Sequence, residues 1–226
     1  MNLQYLAHSA FVLTTSAGLR IVVDPWRNPD RDLWFVREFP LTRADLVIVT
    51  HDHFDHDAVH RITGLPTVLR HAVELELGDL KVSGYADWHV PGHSSAGLAN
   101  VIFVLESGGV RVCHLGDNRF PPPPEIVAAI GTVEVLIVPV DDSCHLLSYE
   151  EVDGFIELFD PRVVIPVHYL IPGVTALEST LEAPGEWLTR HANVRRFEAG
   201  MIELEPGTMP AERELWLLEP DLSVVR

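Results

Sequence analysis

Cysteine, cationic side chains and long apolar runs are all scarce in this sequence, and each scarcity removes a class of function. The two cysteines, Cys113 and Cys144, are too few for a disulfide framework or a cysteine-ligated zinc module. Lys and Arg together number 16 against 33 Asp and Glu, a formal net charge of −17. A surface that acidic repels phosphate backbones and anionic headgroups over about a Debye length. No basic stripe of the kind nucleic-acid binding needs is visible. The expectation is no nucleic-acid partner and no membrane partner. No run approaches ~18 consecutive apolar residues, so no membrane span is expected. Met1–Tyr5 lacks the basic and apolar stretches of a signal peptide, and a cytoplasmic location is the expectation. Internal repeats and a domain-splitting linker are also missing.

What is present suffices for a large core. The chain has 226 residues, 47% hydrophobic and 22% charged, which suits one α/β domain over 1–226, with a tail of undetermined structure over 206–226. Leu3–Thr14 and Leu19–Asp24 are expected as a strand pair around the turn Ser16-Ala17-Gly18. The run from Asp45 to Thr50 has the length and near-continuous apolarity of a strand buried on both faces. Short helices are expected at Asp57–Ile62 and Ala72–Leu77. Asn100–Glu106 and Val110–Leu115 flank Ser107-Gly108-Gly109 as a hairpin. Val133–Val138 and Arg162–Val167 are further buried strands. Between them Ser148 and Glu151 form a capping box that opens a helix to Phe159. Ala176–Arg190 is expected to be helical with a break at Pro184-Gly185, and Val194–Phe197 with Met201–Leu204 to be a closing hairpin. A sheet core with helices outside follows from that order.

The chemistry concentrates in Thr50-His51-Asp52-His53-Phe54-Asp55-His56, directly after the buried Asp45–Thr50 strand. Ligands of open α/β sheets bind at such carboxyl ends. Three imidazoles and two carboxylates in so short a stretch make poor core material, since each unsatisfied buried group costs about 1–3 kcal/mol. They are ordinary ligands for divalent ions. His51 and His53 can converge on one ion, Asp55 and His56 on another. Further ligand types stand at three more strand ends: His93 in Pro91-Gly92-His93-Ser94-Ser95, Asp117 in Leu115-Gly116-Asp117, and His168 in Pro166-Val167-His168-Tyr169.

This pattern resembles the metallo-β-lactamase-fold hydrolases, from the first hairpin to His168. Tyr5-Leu6-Ala7-His8-Ser9, Val23-Asp24-Pro25, His93-Ser94-Ser95 and Pro166-Val167-His168-Tyr169 look most like the branch of ascorbate-6-phosphate-lactonase-like proteins and related metal-dependent hydrolases. The resemblance implies a four-layer αβ/βα sandwich of metallo-β-lactamase type. It implies two divalent ions per chain, zinc first, with manganese or iron(II) as alternatives. His51, His53 and His93 would hold the first ion; Asp55, His56 and His168 would hold the second; Asp117 would bridge them, and Asp24 would orient a ligand histidine. The implied activity is hydrolysis of an ester, lactone or phosphodiester bond of a small molecule by hydroxide bridging the two ions, with Asp55 and Asp117 as catalytic carboxylates.

Other residues have two readings. His145, after a strand end, is a candidate to donate a proton to the leaving group. His8 either lines the site or is structural. Trp88 and His89 could wall one side of the mouth, and Trp26, Trp34 and Phe35 the other, where they would suit an apolar or cyclic substrate. His114 is expected to point into a sheet interface, and His60, His71 and His191 to lie on the surface. Alternative functions are a phosphodiesterase acting on a lipid or nucleotide, for which Arg27, Arg31, Arg37 and Arg119 are the candidate cations, and a non-catalytic metal-binding protein of the same fold. Diiron redox relatives typically carry Glu where this chain has His53. The oligomeric state is left open.

Overall fold

The apolar runs become strands, and their ends decide where the site lies. In the computed structural model, which describes residues 1–91, 97–198, 200–221, 223 and 225, the chain runs through β1 (Asn2–Tyr5), β2 (Phe11–Thr14), β3 (Arg20–Val23), β4 (Thr42–Arg43), β5 (Leu46–Ile48), β6 (Ile62–Thr63), β7 (Thr67–Leu69), β8 (Glu74–Leu77), β9 (Leu80–Trp88), β10 (Ala99–Ser107) and β11 (Val110–His114). It continues through α1 (Pro124–Ile130), β12 (Val135–Pro139), α2 (Tyr149–Phe159), β13 (Val163–Val167), α3 (Gly185–Thr189), β14 (Val194–Phe197), β15 (Met201–Glu203) and β16 (Glu214–Leu218). One sheet has the order β15-β1-β2-β3-β5-β7, the other β14-β16-β13-β12-β11-β10-β9-β8, and β4 and β6 form a small ribbon.

The β5, β12 and β13 strands are buried along their whole length, which is why they read as unbroken apolar runs rather than alternating ones. A single hydrophobic cluster includes residues of both sheets. The capping box of α2 forms as expected, with Ser148 accepting from the Glu151 backbone and Glu151 accepting from the Ser148 backbone. This helix buries Tyr149, Val152, Phe155, Ile156 and Phe159, at about 1.5–3 kcal/mol for each large apolar side chain. The outer layers are thinner than a full four-layer sandwich. Among the described residues no α-helix precedes Pro124, and the connections of the six-stranded sheet carry only a 3-10 turn at Val59–Arg61 and the ribbon.

Five local expectations change. The Leu3–Thr14 strand is instead a hairpin, with Tyr5 opposite Phe11 and a tight turn closed by Ala10 N–H to the Ala7 carbonyl at 2.9 Å. Ala7 and His8 take left-handed backbone angles there (φ 80° and 55°), so no glycine or proline marks the turn. The expected helix at Ala72–Leu77 is β8, because Glu74-Leu75-Glu76-Leu77 alternates with the period of a strand and pairs antiparallel with β9. Only Leu177–Ser179 and Gly185–Thr189 of the Ala176–Arg190 stretch are helical, the first a 3-10 turn. The β14 and β15 strands do not pair with each other: β14 joins the eight-stranded sheet and β15 the six-stranded one. The segment beyond Pro206 contains β16, inserted in parallel between β13 and β14, where Leu215–Leu218 are buried.

Three contacts close the sandwich at one end. His168 N–H donates to the His8 carbonyl at 3.1 Å and Val101 N–H to the Thr50 carbonyl at 2.9 Å. His114 Nε2 donates to the Ser9 carbonyl at 3.0 Å. Each links the six-stranded to the eight-stranded sheet, so strand ends from both meet there. Among the described residues no helix is long and apolar enough to cross a membrane.

Candidate metal centre

Side chains from six strand ends converge at this closed end: His8 from the β1–β2 turn, Asp24 after β3, the His51–His56 loop after β5, His89 after β9, Asp117 after β11 and His168 after β13. Several backbones are left-handed, at His8 (φ 55°), Asp24 (φ 45°), Gly116 (φ 58°) and His168 (φ 60°). Non-glycine residues in that region cost about 1–3 kcal/mol each and persist where the surroundings hold them. Gly116 also tolerates a close approach: a Cβ there would lie 2.5 Å from Asn100 Oδ1 and 2.6 Å from Thr50 Cβ. That approach carries Asp117 onto the histidine loop.

The ligand atoms form two groups, each with its members within 4.8 Å of one another. The first contains His51, His53, His89 and Asp117; the second contains His8, Asp55, His56 and His168. Asp55 Oδ2 lies 3.1 Å from His8 Nε2, 3.4 Å from His168 Nε2 and 3.8 Å from His56 Nε2. Asp117 reaches both groups. Its Oδ2 lies 3.3 Å from His89 Nε2, 3.6 Å from His51 Nε2 and 3.5 Å from His168 Nε2, and its Oδ1 lies 3.4 Å from His56 Nε2.

Second contacts aim the rings. Asp24 Oδ2 accepts from His56 Nδ1 at 2.9 Å, while Thr50 donates to Asp24 from its backbone and its hydroxyl, both at 2.8 Å. The Val90 carbonyl lies 2.7 Å from His89 Nδ1. Carboxylate and carbonyl can only accept here, so Nδ1 carries a proton in both rings and Nε2 is the atom left facing the cluster, free to ligate a cation once any proton on it is displaced.

The donor set fits divalent cations. His56 Nε2, His89 Nε2 and Asp117 Oδ1, which face the cluster, are buried with no hydrogen-bond partner. Leaving three such atoms unpaired would cost about 1–3 kcal/mol each, and nitrogen with carboxylate oxygen is the ordinary ligand chemistry of zinc and its neighbours. Burial, then the neighbouring His168 and His56, hold His8 down to about 4. Burial and His56 keep His51 well below its usual range. Burial opposes ionisation of Asp55 and Asp117, but the surrounding histidines, His56 foremost, outweigh it and hold both carboxyls well below their ordinary range. Burial is likewise outweighed at His56 and His168, where Asp117 and its neighbouring carboxylates push the pKa up. The carboxylates thus hold protons on His56 and His168 that a cation would displace.

His51, His53, Asp55, His56, Asp117 and His168 lie together in these two groups. His93 lies outside the described residues. The structure settles His8 on the side of lining the site and moves His89 from the wall of the mouth into the first group; neither is marked as a candidate ligand by the sequence, His8 because an apolar, glycine-free hairpin reads as one strand, His89 because it stands among aromatics, although its place one residue after β9 is the signal that finds it. His145 is half-buried, 6.0 Å from the His168 ring between centroids, with its N–H bound to Asp141 Oδ1 at 2.9 Å. His114 is structural: besides its bond to Ser9, its Nδ1 accepts from Gly116 N–H at 3.0 Å. His60 and His71 are exposed, whereas His191 is half-buried, packing on Trp187 and facing Asp153. Trp26 and Phe35 are core residues stacked on each other. Both cysteines are free.

Two mixed sheets whose strand ends gather histidines and carboxylates in two adjoining groups define a protein built to hold divalent metal ions between its sheets. A family model described as the β-lactamase superfamily domain matches residues 2–168. A UPF0173 metal-dependent hydrolase of Thermus thermophilus is 30% identical over 195 residues, covering 75% of this chain and 84% of that protein; one from Pyrobaculum islandicum is 26% identical over 191 residues, covering 75% and 84%. A crystal structure from Thermotoga maritima, described as a candidate Zn-dependent hydrolase of the metallo-β-lactamase superfamily, aligns with a TM-score of 0.76 at 26% identity, covering 97% of this chain and 99% of that one. The chain belongs to the metallo-β-lactamase superfamily, in its UPF0173 family of metal-dependent hydrolases.

Proposed function

We propose that this protein hydrolyses an ester, lactone or phosphodiester bond of a small molecule in the cytoplasm, using two divalent ions, zinc before manganese or iron(II). The observation that carries the reading is Asp117, whose two carboxylate oxygens lie 3.3–3.6 Å from histidine nitrogens of both ligand groups. His51, His53 and His89, with His93 as the family resemblance implies, would hold one ion, His8, Asp55, His56 and His168 the other, and Asp117 would contact both. When bound, such a pair lowers the pKa of a shared water toward neutrality and polarises the oxygen of the scissile bond.

The remaining chemistry belongs to the chain. Asp55 and Asp117 stay ionised, so each can accept a hydrogen bond from the attacking water and steer its lone pair. Asp24 fixes the His56 ring and so the direction of Nε2. Burial and the neighbouring His168 hold the pKa of His145 below its ordinary value, so it would pass on a proton readily to the departing oxygen, as general acids do for about 10²–10⁴-fold in rate, and Asp141 anchors its loop by accepting from the backbone of His145 and of Glu182.

Three of the four candidate arginines are already engaged, which favours a small, weakly charged substrate over a polyphosphate. Arg119 is engaged with Asp87, Arg37 with the carbonyls of Gly173 and Val225, and Arg27 with the Asn28 carbonyl. The test is metal analysis followed by a screen of lactones, phosphodiesters, carboxylic esters and thioesters with the metal found. Turnover of a member of these classes that vanishes on chelation supports the reading; bound metal without turnover of any class overturns it.

A further inference from the structure

Resting on that hydrolase reading, we infer that Trp34, Phe54 and His145 form an apolar wall that binds an acyl chain or ring of the substrate beside the second ligand group. The loop between β3 and β4 splits its aromatics by direction. Phe35 turns inward, stacks on Trp26 at 4.2 Å and meets the His8 ring edge-on at 5.2 Å. Trp34 stays partly exposed and meets Phe54 at 5.2 Å and His145 at 5.8 Å, both edge-on. His145 in turn faces His168 at 6.0 Å. The rings therefore run without a break from solvent to a candidate metal ligand.

This wall is held in place. Asn28 Oδ1 accepts from the backbones of Trp34 and Phe35 at 2.8 and 2.7 Å, and its amide donates to the Phe35 carbonyl at 2.9 Å. The loop also pairs with the segment after β13: Val36 N–H bonds the Val174 carbonyl at 2.8 Å and Ala176 N–H the Trp34 carbonyl at 2.7 Å. On these two paired segments Leu33, Val36 and Leu177 are 46%, 54% and 81% exposed. Core packing accounts for Phe35 and for the buried part of Trp34, but not for the three exposed aliphatics on the segments beside it. Partly exposed aromatics and exposed aliphatics on segments that lead to the ligand cluster fit an apolar substrate group.

The test uses the metal-loaded protein and p-nitrophenyl acetate, butyrate, hexanoate and octanoate. In the wild type, kcat/KM is expected to rise about two- to fourfold per added methylene over the early members. In Trp34→Ala the octanoate-to-acetate ratio is expected to shrink at least about tenfold, while in Leu65→Gln, a fully exposed position between β6 and β7, it keeps the wild-type value. Calorimetric titration with butanamide and octanamide supplies a readout independent of turnover, octanamide binding more tightly to the wild type and losing that advantage in Trp34→Ala. If Trp34→Ala does not fold, Trp34→Gln takes its place. A flat chain-length series, or one equally steep in wild type and variant, overturns the wall. Failure to hydrolyse any substrate class overturns the hydrolase reading instead, and the amide titration still decides the wall.

Discussion

Asp117, Asp24 and His89 carry the residue-scale account, and each makes a separable prediction. Asp117→Ala removes the one carboxylate that reaches both groups, so it is expected to lose both ions and nearly all activity. His145→Ala removes at most a proton donor and is expected to cost no more than about 10²–10⁴-fold with metal retained. Equal losses with equal metal content would show the roles to be wrong. Asp24→Asn replaces a carboxylate that fixes the His56 tautomer, and a drop of about 10–100-fold in metal affinity is expected, read by competition with a chromogenic chelator. The histidine loop, Asp117 and His168 were legible from the sequence because they combine ligand chemistry with a strand end. His89 was less so, since one residue after a strand among aromatics it looks equally like a wall. For His8, the signal was cancelled by its neighbours.

Elements explain that cancellation. A turn normally announces itself by Gly, Asn or Pro, but Leu6–Ala10 turns through Ala7 and His8 held left-handed, with the His8 carbonyl fixed by Tyr5 Oη at 2.9 Å and by His168 N–H. Tertiary bonds, not local preference, make this hairpin. Local reading failed likewise at Glu74–Leu77, where helix-favouring residues sit in a strand because β9 offers a partner, and at β16, whose partners β13 and β14 are remote in sequence. It succeeded for β5, β12, β13 and α2, whose burial on both faces or capping box is written locally. Gly116 tests the element-scale claim that close strand-end approach builds the site. Gly116→Ala places a methyl carbon on Asn100 and Thr50 at a positive φ; a loss of about 1–3 kcal/mol in stability is expected, together with weaker metal binding. Unchanged denaturation midpoint and metal affinity would remove the close approach from the account.

The whole molecule responds to pH through the same cluster. In metal-free protein His56 and His168 are held above the ordinary 6.5, so the stability they contribute is full below about that pH and is lost as pH rises through their raised values. Asp55 and Asp117 are held below 3.8, so theirs is present above that value and is lost only in strong acid. His8 and His51 are held down, and below about pH 6.5 they bind protons preferentially in the unfolded chain, which costs stability. Metal-free protein is therefore expected to be most stable near neutrality and to weaken toward about pH 9. Divalent ions displace the protons of His56 and His168, so their binding strengthens with pH. The rise in Tm on adding zinc is expected to be larger at about pH 9 than at about pH 6.5, and an equal or smaller rise would contradict the assignment of these histidines as ligands.

The central claim is two ions held by one bridged cluster, and equilibrium metal binding counted by elemental analysis tests it most directly. Wild-type protein, stripped and then reloaded, is expected to retain two equivalents of a divalent ion per chain, His89→Ala about one, and Asp117→Ala fewer than one. A wild-type plateau at one equivalent or none, or an Asp117→Ala variant that still holds two, would contradict it.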